Sequence, residues 1–99
     1  MAKYNLTNKA IGDLASIWEY TYFQWSEKQA DRYYNILIAS CQNLSENPRL
    51  GKNYDRIAKD LFGFKISKHI IFYRIMVNDE IEIARILFGG MDLKNRIQE

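Results

Sequence analysis

The sequence predicts an α+β fold, and three observations predict it. Residues 8–46 repeat apolar side chains every three or four positions, the period of helices. Asn47-Pro48 then breaks that pattern, because the residue before a proline resists helical backbone angles. Beyond residue 60 come three runs rich in β-branched and aromatic residues, LFGFKIS, HIIFYRIMV and EIEIARILF. The expected architecture is an N-terminal strand, an αα-hairpin, a three-stranded antiparallel meander and a short C-terminal helix. A chain of 99 residues suits a single domain over positions 1–99.

Each element has its own warrant. Ala2 to Thr7 alternates, with Tyr4 and Leu6 on one face, which suits a short strand. Thr7 is an expected N-cap, since its hydroxyl can accept from a backbone N–H that the first helical turn leaves unpaired. Ile11, Leu14, Ala15, Trp18, Tyr22 and Trp25 then form one stripe, with Tyr20 and Phe23 off it. Ser26-Glu27-Lys28-Gln29 reads as a capping box opening a second helix. That helix is expected to bury Ala30, Tyr33, Tyr34, Leu37, Ile38, Cys41 and Leu44. Arg49 to Asp60 is polar and reads as a loop, and Gly63 as the mark of a bulge.

Asn78-Asp79 predicts a two-residue turn between the last two strands. Val77 then pairs with Glu80, and running outward Arg74 pairs with Ile83 and Phe72 with Arg85, these two pairs on one face. Tyr73 with Ala84 and Ile71 with Ile86 fall on the other. This register sets Arg74 and Arg85 as diagonal neighbours beside the Phe72 ring. Gly89-Gly90 ends the strand and turns the chain into a short basic helix.

Composition narrows the function. A net charge of +2 is too small to imply nucleic-acid binding by itself. The one cysteine, Cys41, excludes an internal disulfide and leaves no thiol partner for a metal, so neither cofactor nor metal is expected. MAKYNLTNKA lacks the apolar run of a signal peptide or membrane span, and a cytoplasmic location is expected. The single histidine, His69, has no nucleophile-elbow spacing around it and reads as a strand-end residue with a local hydrogen bond. Lys65, Lys68, His69, Arg74, Arg85, Lys94 and Arg96 are the groups from which metal-free RNA cleavage would have to be built. A binding module is the other reading. Two helices cover one sheet face, so Ile70, Phe72, Met76 and Ile81, or their opposite set, would lie open, with Tyr20 and Phe23 adding aromatic area. The alternative is that the loop and the C-terminal segment fold over that face.

Four blocks in order carry a resemblance: YNLTNKAIGDLASIWEYTYFQWSEKQADRYY, ENPRLGKNY, KHIIFYRI and ARILFGGMDLKNRI. Together they resemble ParE toxins of type II toxin–antitoxin modules, within the RelE/ParE superfamily, from Tyr4 to Ile97. The resemblance implies the same fold and a cognate ParD-like antitoxin that lays an extended segment across the toxin, in a hetero-oligomer. It implies Tyr20, Phe23, Phe72, Met76 and Ile81 as antitoxin-binding residues. RelE-like members cut messenger RNA on the ribosome. Here Ile70 and Gly90 stand where such members carry catalytic arginines, and Arg96 where they carry a tyrosine, so no catalytic residue is assigned. The ending RIL-x-x-x-MD is ParE-like, and ParE-like members act on DNA gyrase by binding. Phe88 stands where many of them have a histidine. Arg74, Arg85, Met91, Lys94 and Arg96 are the implied target-binding set, with no direct sequence-specific nucleic-acid contact. Arg85 is expected either to serve that site, stacked on Phe72 and bonded to a carboxylate such as Asp92, or to form an internal ion pair. A ribosome-dependent endoribonuclease and a non-toxic antitoxin-binding relative are the alternatives.

Overall fold

The computed structural model describes residues 3–98, so the predicted strand start at Ala2 lies outside the described residues. In chain order come β1 (Tyr4–Leu6), α1 (Asn8–Gln24), α2 (Glu27–Glu46), β2 (Lys52–Asn53), β3 (Phe62–Ile66), β4 (His69–Ile75), β5 (Ile81–Phe88) and α3 (Leu93–Gln98). The five strands form one sheet in the order β1-β5-β4-β3-β2. The meander is antiparallel, and β1 joins its far side parallel to β5, with Tyr4 opposite Ile81 and Leu6 opposite Ile83. The short edge strand β2 lies within the stretch expected to be a connecting loop, with or without a helical turn.

The helix caps follow from chemistry. Thr7 Oγ1 accepts from Ala10 N at 3.1 Å, and Ser26 Oγ accepts from Gln29 N at 3.0 Å. Both satisfy donors that a helix start leaves unpaired. Helix α2 stops at Glu46, just before Asn47-Pro48.

The two helices cover one face of the sheet. Ala10, Leu14 and Ile17 of α1, Leu37, Cys41 and Leu44 of α2, and Ile71, Tyr73, Ile81, Ile83 and Ile86 of the strands form one core. This corrects the stripe expected for α1. Ile11, Tyr22 and Trp25 are exposed, and the buried line runs through Ala10, Leu14 and Ile17. Aromatic rings suggested the wrong face because large apolar area also serves surfaces meant for contact. On α2, Tyr34 is exposed too, and Ser40 and Ser45 are buried in its place, each donating to a carbonyl of its own helix.

The other sheet face is also closed. Tyr54, Leu61, Ile70, Phe72 and Leu87 form a second core, and Ile57, Ala58, Leu93 and Ile97 pack against it. The expectation that Ile70, Phe72 and Ile81 lie open is therefore wrong. The 54–61 loop and α3 cover Ile70 and Phe72, and Ile81 turns toward the helices. Burying one such side chain is worth about 1.5–3 kcal/mol, reason enough for a small domain to use both faces. Gly63 marks no bulge; it pairs regularly with Phe72. An added Cβ there would lie 2.7 Å from the Tyr54 ring, so the missing side chain is the seat on which that ring rests. Tyr54 in turn meets Phe72 edge-on at 5.2 Å.

The bulge lies in β5. The turn to β5 has three residues, not two: Met76 N donates to Glu80 O at 2.7 Å, and Asp79 takes φ 62. Ile75 thus faces Ile81, Arg74 faces Glu82 and Tyr73 faces Ile83, each one residue off the expected pairing. Between Phe72 and Tyr73 the register shifts, and from there Phe72 faces Arg85 and Ile71 faces Ile86, as expected. Ala84 is the extra residue. It lets Ile81, Ile83 and Ile86 share the helix side despite their change of parity, and it turns Arg85 away from that core.

Candidate functional site

Beyond Ile83, β5 has no strand on its outer side, because β1 ends at Leu6. An open edge leaves backbone donors and acceptors unpaired. Side chains from the start of α1 fill that need. Thr7 Oγ1 donates to Ala84 O at 2.8 Å, and Ile86 N donates to Asp13 Oδ2 at 2.9 Å. The same carboxylate receives Arg85 Nε at 2.8 Å and Nη2 at 2.9 Å, a bidentate pair. Arg85 Nη1 donates to Arg96 O at 2.8 Å. Arg85 is 7% exposed. One guanidinium thus fastens α1, β5 and α3 together, and the internal-ion-pair alternative is the one the geometry supports. Its acid is Asp13, not Asp92, which instead bonds Asn95 within its own turn.

The other residues of the expected target-binding set divide between the segment around α3 and strand β4. Met91 and Lys94 are exposed around the start of α3, and Arg96 is half-buried with its carbonyl committed to Arg85. Arg74 is half-buried and lies across from Glu82. Of the expected antitoxin-binding set, Phe72 and Ile81 are fully buried, whereas Tyr20 (66% exposed), Phe23 (73%) and Met76 are open. Trp25, at 77%, joins the first two at the α1–α2 turn, and its place on the supposed buried stripe hid it. Trp18 stacks on Tyr22 at 5.3 Å and donates from Nε1 to Asp31 at 2.9 Å, which steadies this aromatic end across both helices.

His69 is hydrogen-bonded, though not locally as expected: its partner lies 36 positions away on α2. Its Nδ1 lies 2.6 Å from the Tyr33 hydroxyl, and burial lowers the pKa of the imidazole while raising that of the phenol. Both changes favour neutral partners. Burial also pushes the Cys41 thiol up to about 12, leaving it protonated in the core. Among the described residues, no group of three or more His, Cys, Asp or Glu is placed to hold a metal ion. No helix there is long and apolar enough to cross a membrane.

The glycine pair ends β5 and turns the chain toward α3, as expected, and it does so without left-handed backbone: neither Gly89 nor Gly90 takes a positive φ. A Cβ at Gly90 would lie 2.7 Å from the Phe88 ring, so this position is kept bare to let that ring lie across it. Beside Phe88, a cleft gathers Lys65 and Lys68 with Lys52 and Arg56, two cations that no sequence motif marked. Asp13 was missed as well. Its trace was an acid within the stretch that carries Ala10, Leu14 and Ile17, the helix side that meets the sheet.

Three comparisons bear on this arrangement. The family model for the ParE toxin of type II toxin–antitoxin systems, parDE, matches residues 4–93. Toxin ParE1 of Mycobacterium tuberculosis is 29% identical over 96 residues, covering 97% of this chain and 98% of that protein. Toxin ParE1 of Caulobacter vibrioides is 30% identical over 94 residues, covering 95% and 96%. A solved structure of a chromosomal ParDE TA system from P. aeruginosa shares the fold, with a TM-score of 0.77 at 18% identity over 89% of this chain and 96% of that one. With the family match spanning α1, α2 and all five strands, this chain belongs to the ParE toxin family of type II toxin–antitoxin systems.

Proposed function

We propose that this toxin arrests growth by binding and inhibiting DNA gyrase, and that a cognate antitoxin neutralises it. The observation that carries the antitoxin half is the aromatic end of the helical hairpin. Tyr20, Phe23 and Trp25 are each more than half exposed there, in a chain that otherwise closes both sheet faces. Such area on a small protein marks a partner surface, and aromatic anchors contribute much of the energy of such contacts. The structure of a chromosomal ParDE system supports the pairing by kinship. Met76, exposed beside the β4–β5 turn, is a further apolar contact available to the antitoxin, and Met91 and Lys94 offer the target an exposed segment around the start of α3.

The gyrase half rests on family membership and on the residues that stand at the ribonuclease positions. Ile70 is committed to the second core, and at Gly90 the Phe88 ring takes the space of a side chain. Neither supplies a cation to a phosphate in flight. Expression of the chain alone should stop growth, and co-expression of a neighbouring short open reading frame should restore it. Purified toxin should inhibit supercoiling by gyrase. Intact supercoiling, together with codon-phased messenger RNA ends after induction, would assign the chain to the endoribonucleases instead. Normal growth at high expression would leave an antitoxin-binding relative without toxicity.

A further inference from the structure

On the sheet face away from the helical hairpin lies an open cleft of about 630 Å³. Its lining includes Lys52, Arg56, Lys65 and Lys68, and no aspartate or glutamate. The whole chain carries 14 cations and 12 acids, so a local set of four cations without one acid is a sharp departure from its average. Among the described residues none of these four is paired with a carboxylate, in contrast to Arg85.

The cleft is built rather than incidental. Gly63 seats the Tyr54 ring, and the Arg56 guanidinium lies over that ring, 5.0 Å from its centroid, which holds the cation in place. Lys65 pairs with Ile70 in the sheet and so projects on the same face as that cleft residue. Lys68 lies in the β3–β4 turn, where its carbonyl accepts from Gly89 N at 2.9 Å and ties that turn to the end of β5. There Phe88, 43% exposed, lies over the bare Gly90 among the residues that line the cleft, with its ring edge-on to His69 at 6.1 Å.

Unpaired cations beside an exposed aromatic ring are the two components that bind single-stranded nucleic acid without regard to sequence. The cations follow the phosphates and the ring stacks a base. A carboxylate-rich peptide would satisfy the lysines but has no use for the ring. We propose that this cleft holds a single-stranded polynucleotide by its phosphodiester groups, with one base stacked on Phe88, and that it does so without cleaving the strand. The proposal does not depend on gyrase being the target.

The test is fluorescence anisotropy of the full chain with labelled oligothymidylate and oligouridylate of about twelve nucleotides, a length within the usual range of site sizes. Binding should weaken with salt, each neutralised phosphate contributing roughly −0.7 to the slope of log affinity against log salt. Lys65→Gln and Lys68→Gln should each shrink that slope, and Lys65→Arg with Lys68→Arg should restore it. Phe88→Ala should weaken binding roughly tenfold, and Phe88→Trp should retain it. Gel analysis should return the strand intact. Circular-dichroism melts separate these effects from unfolding. No binding at about 50 mM salt, or binding untouched by the lysine and Phe88 substitutions, would overturn the proposal. So would an oligoglutamate bound as tightly as the oligonucleotide, which would hand the cleft to an acidic protein segment. A cut strand would overturn the claim that the site only holds it.

Discussion

Arg85 and the cations of the cleft carry the same kind of charge and meet opposite ends. Arg85 has Asp13 delivered to it by α1, with a bidentate pair and the Arg96 carbonyl completing its partners. Among the described residues, Lys52, Arg56, Lys65 and Lys68 have no carboxylate brought to them. A cation among apolar residues is therefore no sign of function by itself. What separates structural charge from functional charge is whether the fold supplies the counter-ion.

The largest effect should come from breaking the internal pair. Asp13→Ala strands a buried guanidinium and also takes the partner of Ile86 N. Losing one member of a buried pair costs about 3–5 kcal/mol, and denaturant unfolding should show a loss in that range. Arg85→Ala should cost a similar amount. The double variant Asp13→Leu with Arg85→Met should regain part of it, because two apolar chains leave no unmatched charge. Full recovery is not expected, since the backbone groups at Ile86 and Arg96 lose their partners. If Arg85→Ala instead unfolds at the wild-type denaturant midpoint, the lock is not structural and Arg85 returns to the surface-site candidates.

Next in size is the seat of the cleft. Gly63→Ala forces a Cβ to within 2.7 Å of the Tyr54 ring, in a face already packed. Overpacking of this kind costs about 1–3 kcal/mol. The same variant should displace Arg56 with the ring that carries it, so stability and oligonucleotide binding should fall together, whereas Asp13→Ala should leave binding per folded molecule unchanged.

Much of this fold was legible in local pattern. The caps at Thr7 and Ser26, the stop at Pro48 and the three meander strands all depend on neighbours within a few residues, and all stand where the pattern put them. The register of β4 and β5 is more instructive. The expected pairing of Phe72 with Arg85 is right only because two departures cancel: a turn one residue longer than expected and an extra residue at Ala84. A period-two reading cannot detect a bulge that its own turn error offsets. What escaped the sequence altogether is tertiary. Asp13 lies 72 positions from Arg85, and nothing local announces that α1 would bring them together. Arg56 and Lys52 belong to a polar stretch that reads as an ordinary connection until Gly63 is seen to seat Tyr54 beneath it. The exposed aromatics were misfiled for a simpler reason: a contact surface and a core are made of the same residues, so periodicity alone placed Trp25 inside.

A pH titration sharpens the comparison from a third kind of charge, one the fold keeps switched off. Burial lowers the His69 pKa below its ordinary 6.5, and its Nδ1 is bonded to Tyr33. As pH falls, the unfolded chain therefore takes up this proton before the folded one does. Stability from this site is complete above pH 6.5 and declines from there toward the lower folded value. His69→Gln should flatten that part of the pH–stability curve while keeping a polar partner for Tyr33.

The smallest effect belongs to the cleft cations. Lys65→Gln and Lys68→Gln remove charges that have no carboxylate partner among the described residues, and surface changes of this sort stay within about ±0.5 kcal/mol. The sign carries the information. Four like charges around one cleft repel one another, more strongly at low ionic strength, where the screening length is longest. Removing one should therefore leave stability unchanged or raise it slightly, and any gain should fade as salt is added. A loss of stability that also fades with salt would mean that these lysines have acidic partners in solution, and the contrast with Arg85 would then be one of degree.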